Sequence, residues 1–399
     1  MFALVSVLLA ANTTGPPRTE PPTTGPRTGV YKIRTPFTVN TISLNQVCNV
    51  NMTGASVTHS PQSWCKPTVG SPACIVTESN EWQRSVLTKK KFSIILFGDS
   101  GSTDNSKCPG AASVYEAVNE EKNKDLIVHL GDHSYADGNF NHWHTYVANA
   151  NAYSDDGKVP IAPVVGNHEY DYENIVNVRM LNDPTMLYSD IDDISNYVPS
   201  FAKSDASKGE CGVPFNSFFT FANRYNDKYE QGPFWYDLQL GDFAKIYVLS
   251  SEHDIHKKSI QGQWLRKAMK NDKDNKAIKW RVLCIHRPLI NLFVDSKTKQ
   301  DDKVAVYHFK SILDVLDDID LMFTGHQHLY ARVKNKFIHQ ITIGTGGRQL
   351  EDISKNYDLS HDVKSIKVAY GYGVLSVDKD NMCFQFKSVN NTIMDAFCK

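Results

Sequence analysis

Five short motifs, each directly after an apolar run, constrain the fold of this chain more than any other feature. They are GDSG (98–101), GDHSY (131–135), GNHE (166–169), HRP (286–288) after VLCI, and GHQH (325–328). A short continuous apolar run predicts a buried strand, so each motif follows the carboxyl end of a strand. Open α/β sheets form their sites at that edge. The motifs, spread over about 230 residues, therefore predict one site assembled from several strand ends.

The residue types in the motifs indicate a site for two metal ions. Two metals about 3.5–4 Å apart can hold both the attacking and the leaving oxygen of a displacement at phosphorus. Hard oxygen donors suit a trivalent ion, whereas imidazole and amide donors suit a divalent one. The motifs offer both kinds of donor, and the candidate ligands are Asp99, Asp132, Tyr135, Asn167, His286, His326 and His328. Asp132 is central in the series and is therefore the candidate bridge between the metals.

Tyr135 is the residue that separates this site from other dimetal sites. Common dimetal phosphoesterases carry a His two residues after the first Asp, and here that position is Gly101. A phenol has an unperturbed pKa of about 10 and normally stays neutral. A trivalent metal would deprotonate it, as a bound metal deprotonates a coordinating thiol. Tyrosinate with carboxylates therefore favours Fe(III), and the alternative is that Tyr135 is a half-buried packing residue.

With these motifs the chain resembles the purple acid phosphatase family over roughly residues 92–398. The resemblance is closest to the long plant-type branch of that family. It rests on GNHEYDY (166–172), ECGVPF (210–215), FWYDLQLGD (234–242), LSSEHD (249–254), CIHRP (284–288) and GTGGR (344–348). It implies an acid phosphatase that hydrolyses phosphomonoesters, and nucleotides or phosphoanhydrides are further candidate substrates. The expected nucleophile is a metal-bound hydroxide at an Fe(III)–M(II) centre.

The resemblance also implies a division of the ligands between the two metals. The residues that match the Fe(III) ligands of the family are Asp99, Asp132, Tyr135 and His328. The residues that match the ligands of the second metal, which is Fe, Zn or Mn, are Asp132, Asn167, His286 and His326. His168 matches a residue that contacts the substrate phosphate. Arg287, beside His286, is a candidate to face phosphate or to pair with an acid.

Two departures from the branch affect these expectations. Members of the branch usually carry a fibronectin type III-like domain before the catalytic domain, and here about 90 residues precede the first motif. Many members also have a substrate-contacting His about ten residues beyond the fourth motif, whereas this chain has no His between His286 and His308. The acid that protonates the leaving group is therefore open, and His168 and His253 are the candidates.

Two other functions stay open at this point. The first is a nucleotide pyrophosphatase or phosphodiesterase that uses the same site. The second is a catalytically dead secreted binding protein, which the full set of candidate ligands argues against. The net charge of −1 and a sequence pI of about 6.9, without a basic stripe, exclude nucleic acid as an expected partner. The expected partners are small phosphorylated substrates, and the oligomeric state is left open.

The domain organisation follows from changes in composition along the chain. Residues 1–11 are an apolar candidate signal peptide, 12–40 a Thr/Pro-rich linker, 41–90 an irregular segment with cysteines, and 91–399 the catalytic domain. Glycosylation sequons at Asn12, Asn51 and Asn390 favour a secreted or lumenal protein. No segment after the N-terminus is long and apolar enough to predict a membrane span.

The cysteines contain no zinc-type spacing. Cys383 and Cys398 flank a predicted hairpin and are expected to form a disulfide, while Cys284 in an apolar run is expected to be a buried thiol. The N-terminal segment contains Cys48, Cys65 and Cys74, and two of these three are candidates to pair.

The apolar pattern predicts a four-layer α/β/β/α sandwich, with two mixed sheets flanked by helices, as the family resemblance also implies. Strands are predicted to deliver each motif, and a further strand is predicted over residues 215–221. Strands over residues 337–343, 372–377 and 383–387 are predicted to complete the second sheet.

Overall fold

The computed structural model describes residues 29–44, 56–59, 73–135, 140–169, 215, 218–219, 221, 234–253, 255–292, 299–353 and 362–399. Within these residues two large sheets lie between two layers of helices, which confirms the predicted four-layer sandwich.

The first large sheet has six strands. They are β5 (Lys91–Phe97), β6 (Leu126–His129), β7 (Ile161–Pro163), β15 (Gly371–Asp378), β16 (Met382–Ser388) and β17 (Ile393–Cys398), in the order β17-β16-β15-β5-β6-β7. The strands β5, β6 and β7 are parallel. They are connected by the helices α2 (Ala111–Glu120) and α3 (Phe140–Tyr153), which pack together on one face. The carboxyl ends of the three strands therefore meet at one edge.

The second large sheet has seven strands. They are β8 (Tyr236–Leu240), β9 (Ala244–Val248), β10 (Trp280–Cys284), β11 (Leu321–Thr324), β12 (Tyr330–Lys334), β13 (His339–Ile343) and β14 (Val363–Lys367), in the order β14-β12-β13-β11-β10-β9-β8. The strands β9, β10, β11 and β13 are parallel. The crossover helices are α4 (Ile260–Asp274) and α5 (Lys299–Leu316).

The core is divided by the alternation of side chains along the strands. On β5, Phe92, Ile94 and Leu96 belong to the apolar layer between the two sheets, together with Val282 of β10. Ile95 on the opposite face belongs to the cluster that contains the helices. Because both faces of the parallel strands are covered, these strands appear in the sequence as continuous apolar runs.

A smaller antiparallel sheet precedes the two large sheets and corrects part of the sequence-based expectation. Its strands are β1 (Gly29–Arg34), β2 (Thr38–Leu44), β3 (Ser56–His59) and β4 (Ala73–Ser79), in the order β1-β2-β4-β3, and the short helix α1 (Trp82–Ser85) follows. The expected linker over 12–40 and irregular segment over 41–90 are therefore wrong where these strands lie. The sequence does not show the apolar–polar alternation that identifies a strand, because β2 buries the polar Thr38 and Asn40 as well as Ile42 and Leu44.

Two other expectations are also corrected. Phe215 and Phe218 are helical, with the N–H of Phe219 donating to the carbonyl of Phe215 at 3.0 Å, so the strand predicted over 215–221 is wrong at the residues that the structure describes there. The spacing of Phe215, Phe218 and Phe219 is the i, i+3, i+4 spacing of a helix. The strands β15 and β16 belong to the first sheet rather than the second, because β15 pairs with β5. The position of β15 and β16 along the chain does not indicate which of the two sheets they join.

The cysteine predictions that the structure tests are confirmed. Cys383 and Cys398 form a disulfide between β16 and β17, and Cys284 is a buried free thiol. Cys74 is disulfide-bonded, while Cys48 and Cys65 lie outside the described residues, as do the candidate signal peptide and Asn12 and Asn51. Asn390 is exposed in the turn before β17. No helix in the described ranges is long and apolar enough to cross a membrane.

Candidate metal centre

The structure brings all seven candidate ligands to the facing edges of the two sheets. Asp99, Asp132 and Asn167 follow β5, β6 and β7 of the first sheet, with Asn167 beginning a short 3₁₀ turn (Asn167–Glu169). His286 follows β10 and the two His residues of GHQH follow β11 of the second sheet. The parallel strands of both sheets therefore end at one place, as the motif pattern predicts.

One group of donors is formed by a carboxylate, an amide and two imidazoles. Ligand atoms of Asp132, His286 and His326 all lie within 4.8 Å of one another. The Oδ1 of Asn167 is 3.1 Å from His286 Nε2 and 3.0 Å from His326 Nδ1. His286 Nε2 is also 3.3 Å from Asp132 Oδ1. Its other nitrogen, Nδ1, is 2.7 Å from the carbonyl of Leu130, which fixes the ring orientation.

A second group of donors is formed by a carboxylate, a phenol and one imidazole. The hydroxyl of Tyr135 donates to Asp99 Oδ1 at 3.1 Å and is 3.0 Å from His328 Nε2. His328 Nε2 is 3.6 Å from Asp99 Oδ1. The other oxygen of Asp99, Oδ2, accepts the backbone N–H of His326 at 2.8 Å, which connects this group to the first.

The backbone at the site is strained where the candidate ligands are attached. Asp99, Asp132, Tyr135 and His326 have φ angles of 59°, 53°, 51° and 69°. Non-glycine residues seldom adopt this left-handed region, and each one costs of order 1–3 kcal/mol. Among the described non-glycine residues seven have positive φ, so more than half of this strain lies at the candidate ligands. Strain of this kind is typical of functional sites.

At the position where common dimetal phosphoesterases carry a His, this chain has Gly101, and other side chains occupy the space. Gly101 has a φ of +68°, and a Cβ there would lie 2.1 Å from Cys108 Sγ and 3.2 Å from Tyr135 Cδ2. A His at residue 101 therefore cannot fit beside Cys108 and Tyr135. Arg348 adds to this side of the site, because its guanidinium lies 4.7 Å from the centre of the Tyr135 ring.

Glu169 holds two strand ends together through the backbone. Its Oε2 accepts the N–H of Gly166 at 2.6 Å and of Asp132 at 2.9 Å, and its Oε1 accepts the N–H of His133 at 2.8 Å. Glu169 is fully buried. The motif pattern alone assigns no role to this acid. The structure shows instead a backbone clamp, in which the last residue of GNHE positions the Asp of GDHSY.

The electrostatics of the site fit bound cations. Burial raises the pKa of Asp99 to about 8, where the negative charge of Asp132 adds to the effect and the charge of His286 opposes it. Burial opposes ionisation of Asp132 too, but the adjacent His286 and His168 outweigh it and lower its pKa. Burial would lower the pKa of His286, yet the charge of Asp132 raises it to about 10. The two buried carboxylates, Asp99 and Asp132, therefore lie where nearby positive charge is favoured, as at a cation site.

The candidate substrate-contacting residues take different positions. His168 is half-buried, its backbone N–H donates to Asp132 Oδ1 at 2.9 Å, and its ring centre is 4.6 Å from that of Tyr135. His253 is buried, its Nδ1 is 2.7 Å from Ser250 Oγ, and its ring lies beside Phe234 and Trp235. Burial lowers the pKa of His253 to about 4.

Arg287 lies against the first group of donors. Its Nε donates to Glu252 Oε1 at 2.7 Å, and its Nη1 is 3.1 Å from His326 Nε2. Arg287 therefore pairs with an acid, which was one of its two predicted roles. The acid is Glu252, which lies in the LSSEHD motif but was not predicted as a partner. His308, on α5, is also buried, and burial lowers its pKa to about 4.

Comparisons with known proteins agree with this geometry. The calcineurin-like phosphoesterase family matches residues 92–330, which contain all five motifs. The chain is 24% identical over 340 residues to a probable inactive purple acid phosphatase 27 of Arabidopsis thaliana, covering 76% of this chain and 49% of that protein. It is 28% identical over 252 residues to a nucleotide pyrophosphatase/phosphodiesterase of Hordeum vulgare, covering 60% of this chain and 59% of that protein. The chain thus spans about half the length of these curated relatives.

A solved structure supports the fold. A purple acid phosphatase isolated from yellow lupin (Lupinus luteus) seeds aligns with a TM-score of 0.65 at 15% identity, covering 92% of this chain and 73% of that chain. The predicted resemblance to purple acid phosphatases is therefore confirmed at the level of sequence similarity and fold.

Proposed function

Because the chain belongs to the calcineurin-like phosphoesterase family, we propose that it is an acid phosphatase of the purple acid phosphatase type, which hydrolyses phosphomonoesters. The observation that carries the proposal is the pairing of two chemically different donor groups at one edge. Asp99, Tyr135 and His328 form the group that contains a carboxylate and a phenol oxygen. Asn167 and its two imidazole neighbours form the other.

The proposed ligands of Fe(III) are Asp99, Asp132, Tyr135 and His328, and those of a divalent Fe, Zn or Mn ion are Asp132, Asn167, His286 and His326. The donor types support this division, because hard oxygen donors suit the trivalent ion and imidazole and amide donors the divalent one. When bound, the metals would supply charge neutralisation and activation of water for attack on phosphorus. Asp132 is the proposed bridge, since it lies near His286 and its charge raises the pKa of Asp99.

The side chains around the metals have separate proposed roles. His168, half-buried beside the ring of Tyr135, is proposed to donate a hydrogen bond to a phosphoryl oxygen of the substrate. Arg287 is proposed to bind substrate from the side of His326, where its guanidinium is held by Glu252. Glu169 positions Asp132 through the backbone.

His253 is proposed as a weak donor of the proton that the leaving group needs. Its burial among Phe234, Trp235 and Ser250 is an unusual setting for a proton donor. A positioned acid typically contributes about 10²–10⁴-fold to cleavage of a poor leaving group. We therefore expect the protein to prefer nitrophenyl phosphate and nucleoside di- or triphosphates over glycerol phosphate. Equal turnover of glycerol phosphate and nitrophenyl phosphate would reveal an efficient proton donor.

Activity rather than a dead site is supported by the donor set itself. Some relatives are named probable inactive phosphatases, but this chain keeps every candidate ligand, and four of them lie on strained backbone of the kind found at functional sites. The test removes the metals with a chelator and restores iron and zinc, with nitrophenyl phosphate and the bis-nitrophenyl diester as substrates. Metal-dependent hydrolysis of the monoester in preference to the diester supports the proposal. Preference for the diester supports a phosphodiesterase, and failure to hydrolyse either supports a binding protein.

A secreted or lumenal location is proposed on the candidate signal peptide and the sequons. Asn390 is the sequon that the structure describes, and it is exposed in a turn where a glycan has room. A shift in electrophoretic mobility on treatment with an N-glycosidase would support this location, and an unmodified Asn390 in protein isolated from its native cells would argue against it.

A further inference from the structure

The GTGGR segment (344–348) follows β13 and lies directly against the GDSG loop. Two backbone hydrogen bonds join them. The N–H of Gly346 donates to the carbonyl of Gly98 at 2.9 Å, and the N–H of Arg348 donates to the carbonyl of Asp99 at 2.8 Å. A Cβ on Gly346 would lie 2.4 Å from the carbonyl oxygen of Gly98, so this close approach requires glycine. The segment therefore brings Arg348 to the loop that carries Asp99.

The side chain of Arg348 lies over the ring of Tyr135. Its guanidinium is 4.7 Å from the ring centre, and its Nη1 donates to the carbonyl of Lys107 at 3.3 Å. Arg348 is half-buried, and Tyr135 is 7% exposed. Among the residues that the structure describes, Arg348 forms no ion pair with a carboxylate. Glu351, three residues further on, lies instead 3.7 Å from His328 Nδ1. The guanidinium therefore brings a positive charge without a carboxylate partner to the face of a candidate ligand.

The hydroxyl end of Tyr135 faces the other donors. It donates to Asp99 Oδ1 at 3.1 Å and is 3.0 Å from His328 Nε2. A cation over an aromatic face is attracted by the electrons of the ring. The attraction is stronger when the phenol has become a phenolate, because two opposite charges then meet where little water screens them. Arg348 is thus placed to stabilise the form of Tyr135 that is proposed as a metal ligand.

From this geometry we infer that Arg348 is a positioning residue of the proposed Fe(III) site, which holds Tyr135 through its guanidinium and Asp99 through its backbone. The inference rests on the proposed function and deepens it, since it names a residue that sets the properties of two ligands without being one. Charge transfer to iron moves an electron from the ring past the hydroxyl, and so away from the guanidinium. The positive charge of Arg348 therefore raises the energy of that transfer.

The test compares the visible spectra of iron-loaded Arg348→Met and Arg348→Lys with that of the wild type. Methionine keeps much of the length of the side chain and loses the charge, whereas lysine keeps the charge. Arg348→Met should move the charge-transfer band to longer wavelength, on the order of 10 nm or more for a single charge at this distance. Arg348→Lys should move the band clearly less. Both variants keep the backbone N–H that binds Asp99, so most of the iron should be retained.

The matched control is Arg332→Met. The guanidinium of Arg332 lies 4.9 Å from the centre of the Phe397 ring and pairs with Asp395, away from the candidate ligands. This variant removes the same charge from the same kind of contact and should leave the band at the wild-type wavelength. A band that stays in place in Arg348→Met overturns the inference. A band that moves equally in Arg348→Lys also overturns it, because packing rather than charge would then explain the shift.

Failure of the role of Arg348 is distinguishable from failure of the proposed function. If the wild type binds Fe(III) and shows no band, Tyr135 is not a ligand, and the proposed centre and this inference are both overturned. If the wild type shows the band and hydrolyses nitrophenyl phosphate, while the band of Arg348→Met is unchanged, the phosphatase stands and the role of Arg348 is refuted.

Discussion

Replacing Glu169 with glutamine tests whether the metal centre depends on the backbone clamp. Glutamine has one acceptor oxygen where glutamate has two. If that oxygen keeps the N–H groups of Gly166 and Asp132, the amide NH₂ faces the N–H of His133, now bound at 2.8 Å. A buried donor without an acceptor costs about 1–3 kcal/mol. We therefore expect the free energy of unfolding of Glu169→Gln to fall by about 1–3 kcal/mol.

Metal binding should weaken in the same variant. The clamp fixes Asp132, the proposed bridge, relative to the turn that carries Asn167. Loss of a residue that orients metal ligands typically lowers metal affinity about 10–100-fold. Competition with a graded chelator, followed by elemental analysis, measures the metal affinity, and urea unfolding of the metal-free protein measures the stability. Both measurements use wild type and Glu169→Gln side by side.

Asp125→Asn provides the control at the opposite end of the same strands. Asp125 Oδ2 accepts the backbone N–H of Ser93 at 2.9 Å and so connects β5 to the start of β6. This variant is expected to lose stability without losing metal affinity. The reasoning is refuted if Glu169→Gln binds both metals as wild type does, or if Asp125→Asn weakens metal binding to the same extent.

Three further expectations concern single side chains. Asp132→Asn should lose both metals, whereas Asn167→Ala should weaken binding of the divalent metal only. Metal titration measures this, and selective loss of the same single metal in both variants would contradict a bridging Asp132. His253→Ala should slow glycerol phosphate more than nitrophenyl phosphate if His253 protonates the leaving group, and equal slowing removes it from that role. Burial lowers the pKa of His339 to about 4, below the unfolded value of about 6.5. The unfolded chain therefore takes up this proton first as the pH falls, and stability is lost between about pH 6.5 and 4. His339→Gln should make the urea midpoint less dependent on pH in that window, and an unchanged dependence would refute this.

The sequence predicted the parts of the fold that are buried on both faces. The strands that deliver Asp99, Asp132 and His286 are continuous apolar runs because sheet and helices cover them. Helix α3 was not predicted, since Asn and His occupy many of its positions and have modest helix propensity. Its buried Trp143 and Tyr146 supply the packing that stabilises it. Tertiary packing, rather than a local sequence pattern, therefore stabilises helix α3.

The candidate ligands were predictable because their chemistry lies in short motifs at strand ends. The residues that position them were not, because they act through the backbone or across loops distant in sequence. Glu169 binds three backbone N–H groups, and Glu252 reaches Arg287 from 35 residues away. Such partners become visible only when the sheets bring neighbouring strand ends together.

The metal content and colour of the purified protein test the central claim most directly. Elemental analysis and a visible spectrum of the oxidised wild type should show one iron and one divalent metal per chain, with a charge-transfer band from tyrosinate to Fe(III). Tyr135→Phe should lose the band and retain most of the iron, because Asp99, Asp132 and His328 remain as ligands. Stoichiometric Fe(III) in a colourless wild type, or a band that persists in Tyr135→Phe, would contradict the assignment of Tyr135 as a ligand.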